Sequence, residues 1–542
     1  MSSDNKSISL LKDSLNTALL ATVVIGMLTH AFSFLNIIFS HDSIYIYNPD
    51  SYKLALGRWA SFLFKPLLNN LELPWISGCI SLIAIAFSVF LFVLLFEIRE
   101  KKIIWIVAGV FVTNISFTLL NATYCHDSFT YMLGVLSTFV SVYLADKGRL
   151  SFTKSKIILL DKSFVTYTVL SVVFLALGIG FYQAYFPLFS GCVILLCIKL
   201  IVYSEKKIDI FKILLFAGYA FFIMLFAGIF YKVCLNICLY EFNVTLVNEY
   251  NGIKNVFDFS DLSIFKLLLR SMVMPLKPIL SKHFVFYRIM FYMIILCILA
   301  LNIYIFIKKH NICLMLLVEF IFPLGLNFVY ILSKGLMHDL MIYHYMLFPL
   351  LSLILIETLS CNQFKNKTIK LFNSNCIANL FILFIRNILV VCFIGLIGVQ
   401  AVFANTVYLK KSLEYNNTYA ICNRILDKLE NIEQYHYDNT KVFFIGSLDK
   451  SKVGLPINGF ENFYEYTGLS SATAVTYIGT LGAFIRNNLN YRMNLYEFDG
   501  ENSIPRELDS IKYEIYGMRT FPEKDSVKYF ESADVIVVKL SE

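Results

Sequence analysis

The chain has 542 residues, of which 58% are hydrophobic and only 15% charged, with a mean hydropathy of +0.68. A water-soluble protein sits near half apolar and about a quarter charged, so this composition excludes a single soluble core and fits helices of about 20 apolar residues crossing a bilayer. The net charge of +8 is spread over short tethers between apolar runs rather than gathered on one soluble face, which speaks against a nucleic-acid partner.

Taken in chain order, apolar runs over 15–39, 74–97, 103–121, 129–145, 163–180, 187–204, 211–233, 285–307, 312–332, 341–358 and 385–407 predict an α-helical polytopic membrane protein with about eleven transmembrane helices. The first run is too long for a signal-peptide core and lacks a small-residue cleavage site, so it stays as a membrane helix. Alternate connectors are basic: Arg99, Lys101 and Lys102, then 147–162, 206–212, Lys308 and Lys309, and 365–370. The intervening short connectors hold almost no Lys or Arg, Lys334 being the exception. That asymmetry places the basic set and the N-terminus in the cytoplasm and the C-terminus outside. Residues 375–407 leave open one span or a span plus an interfacial segment.

Three outward segments are long. Within the first, 40–73, the semi-apolar stretch Trp59 to Leu71 suits the membrane surface. The second, 234–284, contains Ser263 to Leu280, apolar but studded with Lys266, Arg270 and Lys277. The third is the tail from 408 to 542, expected as a small, outward-facing α/β domain after a membrane domain of residues 1–407. Lys441–Gly446 and Asp534–Leu540 predict short buried strands, and Thr418–Gln434 a charged helix ahead of them. Most of the twelve cysteines lie inside apolar runs, and only Cys422 falls in the tail. No disulfide framework or structural zinc is expected.

Polar groups at the outward ends of membrane helices are costly to hold near lipid and ask for a reason. Three outward connectors carry His-Asp: His41-Asp42, His126-Asp127 and His338-Asp339. Asp50 and Arg58 follow in the first loop, and Tyr182, Gln183 and Tyr185 form a further polar mouth. The connector 121–128 has no Lys or Arg, so Asp127 calls for a metal ion, a basic residue from elsewhere or a substrate hydroxyl. Each acid also suits helix capping, and each tyrosine suits an interfacial belt. Co-location on one side of the membrane favours a site. Aromatic rings and amides hold sugars, a carboxylate takes a proton from an acceptor hydroxyl, and Arg58, Lys334, Arg270 or Lys277 neutralise a lipid phosphate.

The acidic first loop, Gly57-Arg58-Trp59, Leu73-Pro74-Trp75-Ile76, Asp127 and Phe181-Tyr182-Gln183-Ala184-Tyr185 together resemble the Gtr-type serotype-converting glucosyltransferases of bacteria and their phages. The resemblance covers the N-terminal half best; the tail does not carry it. It implies a GT-C-like fold, a polyprenyl-phosphate-glucose donor, an O-antigen lipopolysaccharide acceptor and work on the periplasmic face of the inner membrane. A partner flippase and an enzyme that charges the lipid are implied with it. Carried onto this chain, the catalytic acids are Asp42 or Asp50, one as general base of an inverting transfer, and Asp127. His126, Tyr182, Gln183, Tyr185, Lys334, His338 and Asp339 join Arg58 as candidate substrate-binding residues. A divalent metal, held by Asp42 and Asp127, remains an open reading.

Two rivals predict different patterns. An O-antigen polymerase calls for paired arginines in two outward loops and no folded tail. A sugar-lipid transporter calls for charged mid-helix residues and paired helix interruptions; the mid-membrane runs are nearly free of charge and show no paired interruptions.

Overall fold

A computed structural model describes residues 3–40, 43–44, 51–154, 162–204, 210–247, 264–280, 284–308, 312–366, 375–448, 451–454, 456–475, 478–496 and 504–542. Among the described residues, eleven helices are long and apolar enough to cross a membrane, where the apolar runs predict them. In chain order come α1 (Ser3–Leu35), the short α2 (Tyr52–Ala55) and α3 (Trp59–Phe64), and α4 (Pro74–Phe96). The third span is split into α5 (Lys101–Val112) and α6 (Ile115–Thr123). Then follow α7 (Ser128–Lys154), α8 (Lys162–Phe181), α9 (Phe186–Tyr203), α10 (Ile210–Glu241), the short α11 (Ile264–Val273), α12 (Val285–Lys308), α13 (Ile312–Leu332), α14 (Leu347–Asn366) and α15 (Asn375–Glu430). Because successive spans reverse direction, the turns before α4, α7, α9 and α14 lie at the end of the bundle from which the tail emerges.

Two spans are interrupted where the apolar pattern predicts continuous helix. At Thr113–Asn114 the third span breaks, and the Asn114 side chain accepts a hydrogen bond from Ser116 N (2.9 Å), restarting the helix as α6. Backbone freed inside a bilayer must find partners within the protein. His30 Nε2 meets Val112 O at 2.7 Å and Tyr343 Oη donates to Phe111 O at 3.1 Å. A carbonyl only accepts, so Nε2 carries the proton and Nδ1 accepts from Tyr408 Oη at 2.6 Å. Helix α13 contains Pro323 and is kinked at Asn327, whose side chain donates to Ser271 O of α11 (3.1 Å). Average hydropathy does not register either break, because a single asparagine shifts the mean of a long apolar run only slightly.

Helix α15 has 56 residues, about 84 Å at 1.5 Å per residue. It carries the last span straight into the tail, with neither Gly nor Pro from 399 to 430 to stop it. The charged stretch expected at 418–434 as a separate element is the end of this helix. Beyond it lie β1 (Lys441–Ile445), α16 (Ile478–Asn488), β2 (Asn494–Leu495), α17 (Lys512–Gly517), β3 (Val527–Phe530) and β4 (Val535–Lys539). The sheet order is β2-β1-β4-β3, with β1 parallel to both β2 and β4, and β3 antiparallel to β4. Both predicted strands pair centrally, in register from Lys441 opposite Val535 to Ile445 opposite Lys539. Their unbroken apolar runs follow from burial on two faces. Val442 and Phe444 pack towards Ile421, Ile425 and Leu429 of α15, whereas Phe443 and Ile445 pack towards Leu508 and Ile515.

The tail is also fastened to the bundle. Phe460, Phe463, Tyr466 and Leu469 belong to the core of the membrane helices. Lys410 Nζ, fully buried and paired with Glu414, donates to Leu469 O (2.9 Å) and Ser471 O (2.8 Å).

Candidate functional site

The first loop folds back into the bundle from residue 51 onward. Ser61 Oγ donates to Phe181 O and Thr130 Oγ1, both at 3.1 Å, tying α3 to α8 and α7. Trp59 lies so close to Gly180 that a Cβ there would stand 2.6 Å from the indole ring. Thus Trp59, Ala60 and Ser61 are buried rather than laid on a surface, while Leu63 and Leu67 on the other side stay exposed.

This folding brings charge to Asp127. Its short turn, Cys125–Asp127, precedes α7, and the residue is 1% exposed. The basic residue its own connector lacks comes from α2: Lys53 forms a buried ion pair with Asp127 Oδ1. Lys65 is buried close by, with no hydrogen-bond partner for Nζ among the described residues. Burial pulls its ammonium down to about 8, against the attraction of Asp127 and with the repulsion of Lys53. Glu72 completes the group and accepts from Cys125 Sγ at 3.4 Å. Lys53 thus provides Asp127 with the counter-charge that its own connector lacks. No group of three His, Cys, Asp or Glu side chains able to hold a metal occurs among the described residues.

Beside this cluster a cavity of about 400 Å³ is lined by Gly57, Arg58, Tyr182, Gln183, Tyr231, Lys232 and His338, with apolar residues between them. Gly57 has φ +79°, and a Cβ there would stand 2.7 Å from Tyr231 Oη and 2.8 Å from Gln183 Nε2. A glycine is therefore required, by backbone angle and by space. Tyr231 donates to Gly57 O (2.8 Å) and Gln183 to Leu56 O (2.9 Å), so the loop backbone is held by its own cavity wall. Arg58 donates to Tyr131 Oη (2.9 Å), and its guanidinium lies 5.0 Å from the Tyr182 ring centre and 5.8 Å from that of Tyr131. Such stacking fixes a cation without neutralising it. Tyr131 stands one helical turn after Asp127 and so links the cavity to the charge cluster. Burial and the charge of Arg58 lower the pKa of His338 below its ordinary value, against the pull of Asp339.

Of the residues singled out in the sequence, Arg58, Tyr182, Gln183 and His338 share this cavity. Tyr185 lies behind it, buried, its ring 5.4 Å from Tyr182 and 6.4 Å from Tyr343. Lys334, at φ +54° in the turn after α13, is not among the lining residues. Asp339 Oδ2 accepts from Thr467 N (3.0 Å) and Thr467 Oγ1 (3.2 Å), joining α14's entry turn to the tail. Asp42, Asp50 and His41 lie outside the described residues, as does the side chain of His126.

Lys53, Lys65, Tyr131, Tyr231 and Lys232 were not apparent from the sequence. The available signal was Lys232, which lies far from Lys212 at the other end of the run 211–233, since a charge within a membrane run marks function by default. Lys53 and Lys65 give none, because their partner is distant in sequence.

The sequence profile of the family described as glucosyl transferase GtrII matches residues 31–355. That stretch contains the cavity and the charge cluster, and ends inside α14, ahead of α15 and the tail. Searches of curated proteins and of solved structures return no match. With the matched stretch spanning more than half its length, the chain belongs to the GtrII glucosyl transferase family.

Proposed function

We propose that this glucosyl transferase moves glucose from a polyprenyl-phosphate donor to a sugar of O-antigen lipopolysaccharide, on the periplasmic face of a bacterial inner membrane. The observation that carries the reading is the cavity at the tail end of the bundle. It offers a stacked arginine for an anion, with Gln183, Tyr182 and His338 beside it for sugar hydroxyls. The basic connectors at the opposite end support a cytoplasmic N-terminus and a periplasmic tail.

Asp42 or Asp50 takes the proton of the acceptor hydroxyl as its oxygen attacks the anomeric carbon. The bond to the lipid phosphate breaks on the opposite face, the configuration inverts, and the electron pair leaves with the phosphate. Arg58 meets that phosphate; Lys334 stands outside the cavity wall. Asp127, ion-paired with Lys53, keeps α2 and the loop after it against α7 and so positions the cavity wall that receives the donor. Arg58 supplies the positive charge that faces the leaving phosphate, while Lys53 and Lys65 are matched by Asp127 and Glu72. The tail orients the polysaccharide. A flippase must deliver the donor, and a cytoplasmic enzyme must charge the lipid.

The test is transfer by purified protein in nanodiscs from radiolabelled undecaprenyl-phosphate-glucose to lipopolysaccharide. The wild type is expected to transfer, and Asp42→Asn or Asp50→Asn to lose about a hundredfold or more in rate, as for removal of a general base. Transfer from a nucleotide sugar but not from the lipid donor would sink the donor assignment. Full activity in both variants would sink the base.

A further inference from the structure

A second cavity opens beside the first, with the opposite character. It follows α10 between α9 and α13, has a volume of about 720 Å³, and is apolar except for Ser190, Lys232 and Asn236. Phe186, Lys232 and Phe328 line both spaces, so a polar chamber and an apolar groove adjoin, with an ammonium group at the join. From Asn236 to Phe221 the groove runs roughly 22 Å at about 1.5 Å per helical residue. That length exceeds the ~15 Å depth of one hydrocarbon leaflet, enough to reach from headgroups into the core. Helix α10 is the least buried of the eleven spans, and Phe221, Leu225 and Ile229 stand open where lipid chains run.

We propose that this groove seats the isoprenoid chain of the donor, with Lys232 joining Arg58 at the phosphate and the sugar in the chamber beside Gln183 and Tyr182. This rests on the donor being a polyprenyl-phosphate sugar, and adds where its chain lies. The occupant must join a sugar-sized polar head, an anion and one apolar chain, in that order. Phosphatidylglycerol and phosphatidylethanolamine lack the sugar head and bring two chains. Lys232 matches the anion in charge and in depth, nine residues before the end of α10.

Glycines on α10 supply a direct test. A side chain at Gly228, on the groove wall, meets nothing within 4 Å. Gly228→Phe therefore fills the groove without disturbing helix packing. Gly218, on the same helix, is equally open and lines neither cavity, so Gly218→Phe controls for an added ring. Full-length protein in nanodiscs would be labelled with a diazirine-bearing undecaprenyl phosphate and the labelled peptides mapped by mass spectrometry. Label is expected on residues 221–236, reduced about tenfold by Gly228→Phe and retained in Gly218→Phe. Undecaprenyl phosphate should compete about tenfold better than undecaprenol in the wild type, and Lys232→Gln should erase that difference. Undiminished label in Gly228→Phe, label confined to other helices, or equal competition by phosphatidylglycerol would each overturn the proposal. Labelling needs no sugar transfer. Groove labelling in a protein that moves no glucose from the lipid donor would sink the donor reading and leave the chain site standing. Normal transfer by Gly228→Phe would sink the groove alone.

Discussion

Lys65 shares a buried corner with Asp127, Lys53 and Glu72, and burial brings its pKa from 10.5 to about 8. Its folded-state value lies below its unfolded one, so between those two values the unfolded chain binds more protons and stability rises with pH. Below about 8 the full cost of the buried ammonium is present. The charge is therefore retained at neutral pH and lost in mildly alkaline solution. If transfer draws on that charge, kcat/KM should fall above pH about 8 in the wild type, and the limb should move up by a unit or more in Lys65→Arg, whose guanidinium stays charged. A pH–rate profile of both proteins is the measurement, and an unmoved limb excludes Lys65 as the titrating group. Gly57 makes a different point at the same scale. The Gly57-Arg58-Trp59 motif is visible in the sequence, but its reasons are spatial: Gly57 fits beneath Tyr231 and Gln183, Arg58 lies over two tyrosines, and Trp59 lies against Gly180.

Among the elements, the broken third span is the least expected. His30 holds Val112 O with one ring nitrogen and Tyr408 with the other, joining α1, α5 and α15 around the break. His30→Ala would leave the carbonyl and the phenol buried without that partner, at a cost of about 1–3 kcal/mol. A lowered unfolding temperature in detergent, followed by tryptophan fluorescence, is the expected outcome, and an unchanged temperature would show that the break is held by other contacts. Helices of this kind are legible as apolar runs of the right length, and the eleven spans follow from that alone. Pro323 marks the kink in α13, but the break in the third span is not legible, because the groups that satisfy its broken backbone come from helices far away in sequence.

At the scale of the whole molecule, the tail and the bundle share one packed region. Glu414 pairs with both Lys410 and Lys411, all three buried, and Lys410 reaches the backbone of Leu469 and Ser471. Glu414→Gln would leave two buried ammonium groups without that carboxylate, and breaking a buried pair costs about 3–5 kcal/mol. Limited proteolysis should then cut the segment 456–475 faster than in the wild type, while the membrane helices remain intact. An unchanged cleavage rate would mean that Phe463, Tyr466 and Leu469 hold the tail by apolar contact alone.

The candidate site divides along the same line. Arg58, Tyr182, Gln183 and His338 were legible because polar groups crowding the ends of apolar runs are costly without a purpose, and the structure places them around one cavity. Lys53 and Lys65 were not, because their role depends on α2 and α3 folding back against α7, which no local pattern encodes. By itself the sequence determined the number and place of the membrane helices, the two central strands of the tail and the resemblance to glucosyl transferases, since each rests on local hydropathy or short motifs. Only the tertiary structure decided which charges meet, which helices break and where an apolar groove adjoins a polar chamber, because these depend on contacts between segments tens to hundreds of residues apart.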